Sequence, residues 1–168
     1  MGNCNSIVAF EYNPCIANLG GIKTVWLAEW KEGVAAGATE GAISAIEGVT
    51  WTKYPMRKNV ASMTSTLNNS TDGASYVTTE LALVFSRMDA DKRASIQALA
   101  LGEVMALVED SNGFRWFLGA DAPLTATAGA GETGTAMADA NRYTLTLTDE
   151  SKEYPLPVAA TYTPQVAE

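Results

Sequence analysis

Tyr76-Val77-Thr78-Thr79-Glu80-Leu81-Ala82-Leu83-Val84-Phe85 is the stretch whose reading decides the fold. Successive side chains of an extended chain point to opposite faces. Val77, Thr79, Leu81, Leu83 and Phe85 therefore share one face, and Tyr76, Thr78, Glu80, Ala82 and Val84 the other. Thr, Val, Leu and Tyr in this mixture suit a pleated, half-exposed surface better than a helix. The preceding residues, Asn68-Asn69-Ser70-Thr71-Asp72-Gly73, carry Asn and Asp-Gly, which tolerate positive φ and favour a reversal. Ahead of them Asn59 to Leu67 repeats the same composition. The spacing predicts a long antiparallel hairpin with arms at 59–67 and 76–87.

Working outward, the next segment reads as a helix from Ala90 to about Leu101. Asp89 is placed to cap its first turn and Asp91 to meet the positive end of its dipole. Ile96, Leu99 and Ala100 fall at i, i+3 and i+4, and Gly102 is a natural stop. Val104 to Glu109 and Phe114 to Leu118 form a second hairpin around Asp110-Ser111-Asn112-Gly113, apolar enough for the middle of a sheet. Tyr143 to Thr148 alternates again. Upstream, Ile7 to Tyr12 has strand character and ends at Asn13-Pro14, and Gly20-Gly21 makes a second break. Ile22 to Trp30 is a strand with apolar groups on both faces, as expected where protein covers each side. Residues 31–48 and 119–142, rich in Gly and Ala, read as long loops, the first with a short strand inside it. Residues 1–21 form an N-terminal arm and 154–168 a loosely held C-terminal tail. The expectation is one mainly β domain over 1–168, a β-sandwich or barrel-like pair of antiparallel sheets with one flanking α-helix at about 90–101.

At 168 residues, 47% hydrophobic and 18% charged, the chain has the size and composition of one globular domain. A chain this long buries roughly 70% of its unfolded surface and needs neither disulfides nor a metal to hold a core. Eleven basic against nineteen acidic side chains leave a net charge of −8, the wrong sign for a nucleic-acid groove binder. There is no His, which removes the commonest general base, the Ser-His and Cys-His pairs and imidazole metal sites. No nucleophile, base and orienting group assemble without it except through Lys or carboxylates. The expectation is a non-enzyme with no cofactor and no metal.

The remaining motifs have structural readings. Met1-Gly2-Asn3-Cys4-Asn5-Ser6 lacks the basic and apolar regions of a secretory signal but fits the N-myristoylation pattern. An N-acylated interaction module explains that hexapeptide and nothing else in the chain. One acyl chain holds a membrane marginally, and no Lys or Arg precedes Lys23, so the expected partners include no membrane. Cys4 and Cys15, with no other ligand type nearby, read as incidental thiols. Gly129-Ala130-Gly131-Glu132-Thr133-Gly134 fits GxGxxG, but without a buried strand before it and a crossover helix after it a glycine-rich loop is the better reading. Asp110, Asp121, Asp139, Asp149, Glu150 and Glu153 show no recognised ligand spacing and default to solvated surface charge. Asn69-Ser70-Thr71 is better explained as turn chemistry than as a glycosylation acceptor. Trp26, Trp30 and Trp116 lie within predicted strands and read as core or subunit-interface residues.

The order of pieces resembles the major tail tube proteins of tailed bacteriophages from about residue 22 to residue 158. The resemblance is carried by Ile22-Lys23-Thr24-Val25-Trp26-Leu27-Ala28, then by Ala61-Ser62-Met63-Thr64-Ser65-Thr66-Leu67 with the arm at 76–85. It continues through Asp91-Lys92-Arg93, Gly113-Phe114-Arg115-Trp116-Phe117-Leu118-Gly119, and Gly134-Thr135-Ala136 through Tyr143-Thr144-Leu145-Thr146-Leu147. What it implies is a structural virion protein, made in the bacterial host cytoplasm and ending in the tail. In that family sixfold rings stack into a hollow tube that conducts the genome. The chain's first partner would be itself, followed by other tail proteins such as the tape measure, baseplate or terminator. DNA would be present only in passage, without specific binding. A sheet from each subunit would join its neighbours in the lumen wall, and the loop at 31–48 and the N-terminus would contact adjacent rings. The residues assigned to self-assembly on this basis are Trp30, Glu40, Ile43, Ile46, Met63, Leu67, Val77, Thr79 and Leu81. A head-tail connector or a capsid decoration protein is the alternative.

Overall fold

The structure is a computed structural model that describes residues 9–34, 42–57 and 60–167. It is mainly β, with two antiparallel sheets and one helix, and neither sheet closes into a barrel. The strands are β1 (Ile22–Glu29), β2 (Thr52–Pro55), β3 (Ser62–Asn69), β4 (Ser75–Ser86), β5 (Val104–Asp110), β6 (Arg115–Leu118), β7 (Thr125–Glu132), β8 (Arg142–Ser151) and β9 (Leu156–Val158). The helix, α1, spans Ala90–Leu101. One sheet has the order β2-β1-β5-β6-β9 and the other β3-β4-β8-β7.

The long hairpin forms as its alternation and turn predict. Met63 pairs with Leu81, Leu67 with Val77 and Asn69 with Ser75, around a turn that places Gly73 at φ +88°. Val77, Thr79, Leu81, Leu83 and Phe85 all face inward and are buried. Leu81, Leu83 and Phe85 meet Val25, Leu27, Val104, Ala106, Val108 and Leu118 of the other sheet, with Leu145 and Leu147 beside them, in one core between the layers. The five-stranded sheet is covered on its second face as well. Trp26, Met105, Leu107 and Phe117 pack there beneath Ile43, Ile46, Val49, Trp51 and Val158. Two-sided cover is the arrangement that the two apolar faces of β1 call for.

Three expectations need correction. Residues 119–142 contain β7, paired with β8 from Thr125↔Thr148 to Glu132↔Arg142. Small residues there suit close approach: a Cβ on Gly131 would sit 2.9 Å from the ring of its cross-strand partner Tyr143. Of the tail expected at 154–168, the described residues 154–167 are not loose. β9 extends the five-stranded sheet, Trp51 N–H donates to Gln165 O at 2.8 Å, and Ala167 N–H returns to Trp51 O at 2.9 Å. Residues 9–12 of the expected Ile7 to Tyr12 strand are irregular and exposed. Inside 31–48 the described residues show one bridge, Ile43↔Val158, and 35–41 lie outside the described residues.

The helix boundaries match the capping signals. Asp89 Oδ1 accepts the Lys92 N–H at 2.8 Å, and the Gly102 N–H closes on Ala98 O at 3.0 Å. Its packing is thin: Ile96 and Leu99 rest half-buried against the core, Ala100 is exposed, and no helical residue is buried. Clefts of about 600, 370 and 490 Å³ flank it.

Candidate assembly surface

Among the described residues, the outer face of the four-stranded sheet is lined throughout by half-buried or exposed side chains. Register alone composes it. With Leu81 and Leu147 paired inward, Glu80 stands beside Thr148 and Thr64, and Ala82 beside Thr146 and Ser62. Thr66, Thr78 and Glu150 form the next row, and Val84, Thr144 and Ala130 a row on the other side. Hydroxyls bond across the face, Thr127 Oγ1 to Thr148 Oγ1 at 2.9 Å and Asn68 Nδ2 to Thr78 Oγ1 at 2.9 Å. Glu80, Glu150 and Glu132 share it with one cation, Arg142, which binds Glu132. The face is rich in Thr, Ser and Ala and is net acidic. β3 and β7 end this sheet among the described residues, so each turns one row of backbone N–H and C=O groups away from its neighbour.

The residues assigned to self-assembly from the sequence divide sharply. Val77, Thr79 and Leu81 are 1%, 1% and 0% exposed on the inward face of β4, and Ile43 and Ile46 are buried in one cluster with Trp51. Their side chains are committed inside the subunit, and the backbone of β4 is paired on both edges, with β3 and with β8. Met63 is half-buried against the same core, and Trp30 is half-buried with its Nε1–H donated to Gly119 O at 2.9 Å. Leu67 is 48% exposed near the hairpin tip. Glu40 lies outside the described residues, as does the Met1–Ser6 pattern with Cys4.

Asp149 is the titratable group that sequence reasoning misplaced. It shares the parity of Leu145 and Leu147 on β8, which turns it into the sandwich, where it is 5% exposed. That parity was the available signal. Its Oδ2 accepts the Gly119 N–H at 3.2 Å, joining the four-stranded sheet to the end of β6, while its Oδ1 is buried without a partner. Burial pushes the carboxyl up to about 6, and the nearby Asp121 carboxylate adds to the shift. Gly119 itself sits at φ +94°, and a Cβ there would lie 3.0 Å from Met105 Cβ. The other carboxylates are mostly structural. Asp110 accepts the Asn112 and Phe114 N–H groups in the β5–β6 turn, and Asp139 is held below the usual carboxylate range by the Ala136 and Thr135 N–H groups and the Thr135 hydroxyl.

Gly129 and Gly131 of the GxGxxG match belong to edge strand β7, where each faces a bulky residue of β8. Trp26 and Trp51 are buried, Trp116 is half-buried, and Cys15 is an exposed free thiol. Among the described residues no group of three or more His, Cys, Asp or Glu is placed to hold a metal, and no helix is long and apolar enough to cross a membrane. Comparison of the chain with family models, with curated proteins and with solved structures finds no match.

Proposed function

We propose that the chain is a self-assembling structural subunit whose four-stranded sheet forms part of the wall of a hollow tube, as its resemblance to phage major tail tube proteins implies. The observation that carries the reading is the asymmetry of that sheet. One face is sealed by the other sheet, and the opposite face is wide, hydroxyl-rich and net acidic, between two edge strands. Exposed edges pair with other chains unless something blocks them. Joining β3 of one subunit to β7 of the next is a heterologous contact, which closes into a ring when its rotation closes. Six such subunits would present Glu80 and Glu150 repeatedly to the bore, and that field repels phosphates and lets DNA pass without sticking. Stacked rings in a virion tail, with tape measure, baseplate or terminator proteins at the ends, complete the proposal.

Negative-stain electron microscopy over a concentration series tests it. Rings or hollow tubes of uniform diameter are expected. Single particles at every concentration would move the assignment to a capsid decoration protein, which shares a β-rich fold but needs no tube.

A further inference from the structure

Where β4, the end of β6 and the segment after β8 meet, the two sheets leave a small cavity of about 10 Å³ with Thr79, Gly119, Asp121, Asp149, Ser151 and Tyr154 in its wall. That volume is the size of a single water or a bare ion. Asp149 is 5% exposed there. The Gly119 N–H occupies its Oδ2 at 3.2 Å, and its Oδ1 is buried without a hydrogen-bond partner. The Thr79 hydroxyl and N–H on the paired strand favour the ionised form without closing a bond on Oδ1. A charge held inside a protein calls for a partner of opposite sign. The charged neighbour that acts on Asp149 is instead a second carboxylate, Asp121, which raises the Asp149 carboxyl further. No ion pair among the described residues includes Asp149. Lys152 goes to Asp121: its N–H donates to Asp121 Oδ2 at 3.1 Å, and its Nζ stands 3.9 Å from Oδ1 with the side chain 88% exposed. A water in the cavity would satisfy Oδ1 and leave the buried charge uncompensated.

We propose that this cavity binds a hard divalent cation of the calcium class, with Asp149 Oδ1 and the Asp121 carboxylate as its charged ligands. Two carboxylates neutralise a dication, and the wall offers oxygen donors with no thiol or imidazole, which selects Ca2+ over zinc or copper. Hydroxyl, main-chain and water oxygens complete the shell, as such ions accept. The ion would tie Asp149 of the four-stranded sheet to Asp121 beyond the end of β6 and strengthen the junction that the Gly119 bond begins. The sequence expectation of no metal rested on the absence of His and of recognised ligand spacings, and these two acids meet only through the packing of the sheets. The site belongs to the fold of the single subunit and stands whether or not the chain assembles.

Two measurements on the full-length, chelator-treated chain at neutral pH test the site. Terbium(III) is the first probe, with Tyr154 in the wall to sensitise its emission, and Ca2+ in a thermal melt is the second. Saturable terbium emission that excess Ca2+ removes is expected, together with a thermal midpoint about 3 °C or more higher in millimolar Ca2+. Asp149→Asn and Asp121→Asn should each weaken terbium binding about tenfold or more and abolish the rise in midpoint. Glu150→Gln, which changes an exposed carboxylate next in the chain, should alter neither. Lys152→Ala should tighten binding about threefold, because it removes the competing ammonium. The wild-type chain decides the matter even where a variant fails to fold: a midpoint that Ca2+ leaves unmoved overturns the site. Terbium binding that survives Asp149→Asn, or that Glu150→Gln weakens equally, would also overturn it and assign the ion to surface carboxylates.

Discussion

The two sheets are built from the same alternating strands and end in opposite situations. The five-stranded sheet carries bulky apolar groups on both faces, and both are covered: one by the other sheet, the second by residues 43–51 and the C-terminal segment. The four-stranded sheet alternates Leu, Val and Phe with Thr, Ser and Glu, and its polar face stays open. Both sheets contribute to the core between them, and only the first has a second core on its other face, so the second can offer that face as a surface without losing its fold. Trp51 makes the point: it is fully buried, meets Phe117 edge-on at 6.5 Å, and donates Nε1–H to the Tyr162 hydroxyl at 3.0 Å. Thr146, between the buried Leu145 and Leu147 on β8, faces outward beside Ala82 and Ala128.

This contrast can be broken experimentally. Trp51→Ala should cost about 3–5 kcal/mol of unfolding free energy by urea titration, because it empties the outer core and unpins the C-terminal segment. A cost like that of a surface change would mean that 43–51 does not cover the sheet. Gly119→Ala, at a left-handed φ and against Met105, should cost about 2 kcal/mol and loosen the junction between the sheets.

Asp149 sharpens the comparison through pH. Its folded carboxyl titrates near 6, above the ordinary carboxylate value, so the folded state binds the proton more tightly than the unfolded chain. Stability from this group is full below about pH 4 and is lost as pH rises to about 6. Asp149→Asn should flatten the thermal midpoint across that window and raise it at pH 7. Asp89 and Asp139 are depressed instead, so their contributions fade only on further acidification. An unchanged slope in the Asn variant would remove Asp149 from the junction. Smaller still, Asp89→Ala should speed amide exchange in 90–101 while leaving the global midpoint nearly in place, since α1 contributes no buried residue. At the far end of the scale, Thr146→Ala should change stability by about 0.5 kcal/mol or less. A larger loss would show that the open face carries stability after all.

Much of the fold was legible because its signals are local. The Asn68 to Gly73 turn, the Asp89 cap and the Asp110 to Gly113 turn each act within a few residues, and the hairpins and helix appear where those signals put them. β7 was not legible. Its Ala and Gly residues carry no apolar alternation, and they are strand residues because β8 pairs with them and Tyr143 and Leu145 lie against the glycines. The C-terminal segment was missed for a related reason: its partners, Ile43 and Trp51, are more than a hundred residues away. The residues assigned to self-assembly were placed by region, through the resemblance, and burial, which depends on packing between distant segments, divides them between core and surface.

The sequence by itself determined which segments extend, where they reverse, where the helix begins and ends, and that no His-based chemistry is present. Those properties follow from side-chain period, turn chemistry and composition. Only the tertiary structure decided which sheet each strand joins, that one sheet is covered twice and the other once, and that Asp149 is buried while Glu80 and Glu150 stand in solvent. Pairing partners and burial depend on contacts between residues far apart in the chain, and no local pattern encodes which distant surface will arrive.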